Sequence, residues 1–168
     1  MWRDLIQQSR GMLHVFLPLL DNGLDAVIHR LTDGEYIPVQ VKSRDSLQSG
    51  SVELVILAES LVDDQAMMIA GLLTDAGLGP MLLVVDEGTF KQLDSHNVYR
   101  GIEIYEAGFS MNPIEGTRWK PYLVPRSEVA TRLLGGQLSV SELEPLEVTL
   151  KAEDRHSDWL GFLGESEV

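Results

Sequence analysis

A chain of 168 residues with 44% apolar and 23% charged side chains is long enough to bury one core and short for two. It has no cysteine, which excludes disulfides, thiolate metal sites and cysteine nucleophiles, and makes a cytoplasmic location the expectation. The net charge of −13 opposes long-range attraction to phosphate backbones, and no apolar run approaches the roughly 18–20 residues of a membrane span, so no membrane contact is expected.

In chain order, Asp4 to Gln8 can start a short helix limited by Gly11. Leu13 to Leu17 reads as a short strand ended by Pro18, with His14 as a structural residue. Asp21 to Arg44 then reads as a β-hairpin, because two runs rich in β-branched and aliphatic residues flank Asp33-Gly34. If those two residues are the whole loop, as in a type I′ turn, Leu31 pairs with Tyr36, Val27 with Gln40 and Asp25 with Lys42. Side chains alternate along a strand, so Asp25, Gln40 and Lys42 then project from one face. Ala26, Ile28, Ile37, Val39 and Val41 project from the other and want a core. His29 shares the face of Asp25 as a peripheral candidate.

The grouping of Asp25 with Gln40-Val41-Lys42 resembles the PD-(D/E)XK nuclease superfamily, whose mark is an acid on one strand and an acid-x-Lys triplet on the next. Gln40 stands in the acidic slot, the QxK variant carried by some branches of that superfamily. The resemblance implies a restriction-endonuclease-like α/β fold, with a mixed central β-sheet flanked by helices. It implies that Asp25, the Gln40 oxygen and the Val41 carbonyl bind Mg2+ or Mn2+, and that Lys42 orients or activates the attacking water. Such a donor set suits magnesium, which prefers hard oxygen ligands and is usually held by one or two carboxylates. An amide in the acidic slot removes one unit of anchoring charge. Family members often add an acid from the first helix, where the candidates here are Asp4, Gln7 and Gln8.

Beyond Lys42, the polar segment Ser43 to Ser51 reads as a loop whose Ser43, Arg44 and Gln48 are candidates for substrate phosphate. Val52 to Leu57 reads as a buried strand, and Asp63 or Asp64 as the cap of a helix running to Gly77 through Met67, Met68, Ala70, Leu72 and Leu73. Met81 to Val85 is the next buried strand, so the unit predicts a right-handed parallel crossover. Asp86-Glu87 after it imitates the acid pair of an ATPase, but no G-x-x-x-x-G-K-[ST] loop exists, and Asp86 reads as a strand-terminal cap. Further elements are a helix over Phe90 to His96, a strand over Ile102 to Glu106, a loop from Gly108 to Trp119, a strand over Lys120 to Val124, and a helix from Ser127 to Leu134 stopped by Gly135-Gly136. A last strand is expected over Leu146 to Lys151. Residues 1–151 would form one domain, and 152–168 an acidic tail whose Trp159, Leu160, Phe162 and Leu163 can dock on the domain or a twin subunit.

Residues 1–44 hold five basic side chains (Arg3, Arg10, Arg30, Lys42, Arg44) and five acids (Asp4, Asp21, Asp25, Asp33, Glu35), so the whole net charge of −13 belongs to residues 45–168. The expected partner is nucleic acid, DNA in preference to RNA, bound weakly, with a homodimer or a basic partner subunit supplying what the surface lacks. Two readings follow: a magnesium-dependent nuclease, and a non-catalytic module of the same fold acting in assembly or regulation. A small-molecule hydrolase is disfavoured, since His14, His29, His96 and His156 show no metal-ligand spacing.

Overall fold

The computed structural model describes residues 1–19, 23–61, 63–112 and 115–135. The expected strand over Leu146 to Lys151 and the tail from 152 lie outside the described residues.

The fold is mixed α/β, with a central mixed sheet and helices against it, as the sequence led us to expect. Helix α1 (Trp2–Gln8) leads into strands β1 (Leu13–Phe16), β2 (Ala26–Arg30), β3 (Glu35–Arg44) and β4 (Ser51–Leu57). Then come β5 (Met67–Thr74), β6 (Gly77–Leu78), β7 (Met81–Asp86), helix α2 (Glu87–Leu93), β8 (Ser95–Tyr99), β9 (Ile102–Ser110), β10 (Leu123–Pro125) and helix α3 (Val129–Leu133). The central sheet has the order β1-β2-β3-β5-β7-β10, with β6 paired to β5, and a second sheet has the order β4-β9-β8. Strands β3 and β5 are parallel, and every other pairing is antiparallel.

Period-two alternation on the central strands builds two cores. On one face Ala26, Ile28, Ile37, Val39, Ile69, Leu82 and Val84 pack against Leu5 of α1 and Val129, Ala130 and Leu133 of α3. On the other, Met68, Ala70, Leu83 and Val85 meet Val52, Leu54 and Ile56 of β4, Ala107 and Phe109 of β9, and Phe90 of α2. Phe90 stacks on the buried Trp119, with centroids 5.5 Å apart and planes at 21°. The second sheet thus covers the β5–β7 half of this face.

Several expectations are corrected. The segment expected as a helix from Asp63 to Gly77 is strand β5, and Met67–Thr74 is buried from Met68 to Gly71, because it lies between β3 and β7 with a core on each side. A run apolar on every face fits an interior strand as well as a helix, and Gly71 fits only the former, since a Cβ there would stand 2.5 Å from a Leu82 methyl. No strand-helix-strand crossover exists there, for β7 runs antiparallel to β5 and the parallel pair β3–β5 is joined through β4. Strand β4 is buried only at Val52, Leu54 and Ile56, with Val55 and Leu57 exposed. The helix expected over Phe90 to His96 is Glu87–Leu93, and Ser95–Tyr99 is a strand hydrogen-bonded to β9. Residues 108–110 extend β9, Lys120–Tyr122 is a 3-10 turn before β10, and Arg126–Glu128 is another before α3. Strand β3 runs on to Arg44, so Ser43 and Arg44 are not in a loop.

The hairpin forms, but with Arg30 opposite Glu35 and a four-residue loop from Leu31 to Gly34. Of these four only Gly34 has positive φ, at 77°, so Asp33 is not the first central residue of a type I′ turn. The Asp33 carboxylate instead accepts from the Glu35 N–H at 3.1 Å and the Arg30 Nε–H at 2.9 Å, which closes the wider loop. Two-residue turns with both central φ angles positive occur at Ser49-Gly50 and Arg100-Gly101.

Candidate functional site

The ladder ends with Ala26 opposite Val39, and Asp25, just before it, donates its N–H to that same Val39 carbonyl, short of Lys42. The predicted pairing of Asp25 with Lys42 is therefore corrected. Because the slip is two residues, the faces are unchanged. Gln40 lies beside Met68 and Lys42 beside Ala70, both in the core between the sheets, while Val39 belongs to the opposite core. Gln40 and Lys42 thus share the face that the second sheet partly covers, and the Asp25 carboxylate reaches the strand edge between them at the Val41 N–H.

Asp25 is exposed and sits where β2 begins. Its N–H donates to the Val39 carbonyl at 2.9 Å, and its Oδ2 accepts from the Val41 N–H at 2.6 Å. A side-chain oxygen here continues the ladder past the end of β2. Since N–H and C=O of a strand residue leave on the same side, the Val41 carbonyl is directed to this same edge, next to the carboxylate.

Gln40 is 2% exposed. Its Nε2 donates to the Gly23 carbonyl at 2.5 Å and to the Ser60 carbonyl at 3.2 Å, so one amide ties the loop before β2 to the turn after β4. Gly23 has φ +83°, a conformation that favours glycine and aims its carbonyl inward. The amide oxygen Oε1 is buried and accepts no hydrogen bond from the described residues. A buried carbonyl-type oxygen without a donor costs about 1–3 kcal/mol, and a cation is one group that would satisfy it. The donor set fits a hydrated magnesium ion held by one carboxylate and two neutral oxygens. No cluster of three or more His, Asp or Glu side chains able to hold a metal exists among the described residues, so a site built on carboxylates alone is absent there.

Lys42 is half-buried, two residues beyond Gln40 on the same face. Near it lies a carboxyl that sequence reading treated as part of a turn. Glu87 is 1% exposed, and burial raises its pKa above the usual carboxylate range against the opposing pull of Lys91 and Lys42. Its Oε2 faces the Asp63 N–H at 3.4 Å. No local signal marks it, since the residue directly after the buried run Leu82–Val85 is Asp86, and Glu87 is buried by tertiary contacts with the Asp63 segment. Asp86, the neighbouring acid, expected as a strand-terminal cap, caps α2, accepting from the Thr89 N–H at 2.7 Å.

The remaining candidates divide. Arg44 shares the parity of Lys42, and its Nε donates to the Glu53 carbonyl at 3.0 Å, in a surface cavity that also includes Asp45, Ser46, Gln48, Glu53 and Glu106. Ser43 takes the parity of Val39 and Val41, the opposite face, so it does not share the side of Lys42. The first-helix acid is not supplied by Asp4, which pairs with Arg126 and is held below the usual carboxylate range by that contact. Gln8 donates to the Arg126 carbonyl at 3.1 Å. Helix α1 packs its Leu5 into the core opposite Gln40.

Comparison with known proteins gives little. No family model matches the chain, and no curated protein does. Among solved structures, a Holliday junction resolvase, Hjc, from Archaeoglobus fulgidus matches with 15% identity over 76% of this chain and 90% of its own, at a TM-score of 0.41. At that identity and superposition the likeness decides neither family nor activity.

Proposed function

We propose that this protein is a magnesium- or manganese-dependent phosphodiesterase of PD-(D/E)XK type that cuts nucleic acid, DNA in preference to RNA. What carries the reading is one contact and its neighbour: the Asp25 carboxylate reaches the Val41 N–H beside the buried Gln40, whose amide oxygen has no donor. Aliphatic packing does not require three oxygens at one strand edge with an ammonium two residues along.

In this reading Asp25, the Gln40 oxygen and the Val41 carbonyl hold the cation. When bound, it supplies Lewis acidity to a phosphoryl oxygen and to a coordinated water. Lys42 projects from the same face about 7 Å along the strand, at 3.3–3.4 Å per residue. Its ammonium orients the attacking water and offsets negative charge as the phosphate is attacked. Arg44, next on that face, is the candidate for a phosphate contact, although the carboxylates of Asp45, Glu53 and Glu106 beside it weaken any anion there. Ser43 has no part in this arrangement.

The test is nicking of supercoiled plasmid with magnesium or manganese by wild type, Lys42→Ala and Asp25→Ala. Cleavage by wild type alone supports the enzyme. Failure of wild type to cleave, together with no thermal shift on adding magnesium, refutes it. The single carboxylate and the acid-rich chain favour, as the second reading, a catalytically inactive module acting in assembly or regulation, with a second copy or a basic subunit as its partner.

A further inference from the structure

Strands β1, β2 and β3 carry two cross-strand rows on the face that holds Gln40. In the outermost, His14 lies opposite His29 and His29 opposite Tyr36. The His29 and Tyr36 rings are stacked, with centroids 4.3 Å apart and planes at 6°, and the His14 ring meets His29 edge-on at 6.2 Å. The other row is Phe16, Val27 and Pro38, and beyond it Gln40 follows on β3 and Asp25 precedes β2. None of the residues of the two rows belongs to either core, for the second sheet packs on β5 and β7 and stops short of them. Tyr36 is 60% and Phe16 51% exposed.

A stacked ring pair with an exposed member is what a nucleobase can extend, and base stacking needs no charge on the protein. This patch also differs electrostatically from the rest of the chain. In a protein with 26 acids against 13 Lys and Arg, the residues of these two rows include no carboxylate. It is the surface beside Asp25 on which a polyanion meets least repulsion. His29 stands four residues from Asp25, about 13 Å at 3.3 Å per residue, so a strand with a phosphate at Asp25 would lay its next bases on the rings.

We propose that this face is a stacking platform for the unpaired bases of single-stranded nucleic acid, leading into the Asp25 site. The occupant is an unpaired strand, since a duplex keeps its base faces stacked on one another. The inference deepens the phosphodiesterase reading and rests on it for the role of Asp25.

The experiment is fluorescence anisotropy of the full chain with a labelled single-stranded 15-mer in EDTA, where no cleavage competes. An abasic oligomer of equal length keeps the phosphates and loses the bases. Tyr36→Ala and His29→Ala should raise Kd by roughly 5- to 100-fold and Tyr36→Phe should restore it, while the abasic oligomer binds as weakly as to Tyr36→Ala. Affinity should fall only gently with salt, because few phosphates are neutralised. No binding, equal binding of the abasic oligomer, or an unchanged Kd in Tyr36→Ala overturns the platform. So does a concentration-dependent dimer that Tyr36→Ala abolishes, which assigns the face to a second copy. Plasmid nicking run alongside separates the two ideas: nicking without base-dependent binding leaves the phosphodiesterase standing and removes the platform, and the reverse removes only the phosphodiesterase.

Discussion

Replacing Gln40 with glutamate would place a carboxylate where the PD-(D/E)XK pattern that this chain resembles has one, and the structure says it should damage the protein in the absence of metal. Gln40 is buried, and its Nε2 donates to the Gly23 and Ser60 carbonyls. A carboxylate has no donor, so both carbonyls lose a partner and face an anion instead. The two part-buried bonds are worth about 1–3 kcal/mol together, and a carboxylate set against two carbonyls adds about 1–3 kcal/mol, so Gln40→Glu should lose roughly 2–6 kcal/mol. For a chain of this size that is a fall of roughly 5–20 °C in Tm. A protonated glutamate can still donate one bond, so the loss should be smallest in acid and grow as pH rises. A divalent cation should return part of it, because a ligand bound only by the folded state stabilises that state. The assay is urea unfolding followed by tryptophan fluorescence and circular dichroism, in EDTA and in magnesium, from pH 4 to 8. Equal stability of variant and wild type in EDTA would refute the role of Nε2 as a tie between the two loops. A loss in EDTA that magnesium does not reduce would refute a cation beside position 40.

Other outcomes follow from named contacts. Burial raises the Glu87 pKa above its ordinary 4.5, so the folded state binds that proton more tightly than the unfolded one, and its contribution falls as pH climbs from the ordinary value through the elevated one. Glu87→Gln keeps an acceptor for the Asp63 N–H, so it should match wild type in acid and exceed it above that window; a stability difference independent of pH would refute the burial argument. Arg126→Met removes the ion pair to Asp4 and the 2.6 Å bond to the Leu78 carbonyl. It should cost about 1–3 kcal/mol in denaturant unfolding, and it should flatten the acid limb, where wild type loses stability as pH falls through the lowered Asp4 pKa. Gly34→Ala introduces a Cβ that meets nothing within 4 Å, at φ +77°, so only backbone strain remains, and about 1–2 kcal/mol should be lost in denaturant unfolding.

Much of the fold was readable from residue pattern. Strands β1, β2, β3, β7 and the start of β9 all lie where alternation or an apolar run marks them. What misled was Met67–Thr74. A strand buried on both faces has no alternation to show, and its eight residues are long enough to pass for two helical turns. Gly71 was the available clue, because a glycine inside a run that tight marks close approach of another chain segment, here Leu82 on β7. The second sheet was hidden for a related reason. Ser95–Tyr99 is exposed along its whole length and carries no hydrophobic period, so only its ladder to β9 makes it a strand. In the site, Glu87 stayed invisible because its burial comes from α2 and the Asp63 segment folding over it, a tertiary fact with no local sign.

The hairpin shows why a site can survive an error in the elements that carry it. A two-residue loop and a four-residue loop differ by two in the pairing sum, and the side-chain period of a strand is also two. Every residue therefore keeps its face, and only its cross-strand neighbour changes. Had the loop held three residues with no bulge, Gln40 and Lys42 would have moved to the side of Ala26 and Ile28, and their convergence with Asp25 would have vanished. The change of neighbour still has a chemical consequence. With the Asp25 N–H on the Val39 carbonyl, its carboxylate reaches the Val41 N–H, and Lys42 is the next residue along β3. Directly opposite, Asp25 and Lys42 would neutralise each other as a surface ion pair worth up to about 1 kcal/mol. Offset along the strands, neither is consumed by the other, and in the proposed reading the carboxylate is left for a cation and the ammonium for the water or phosphate between them.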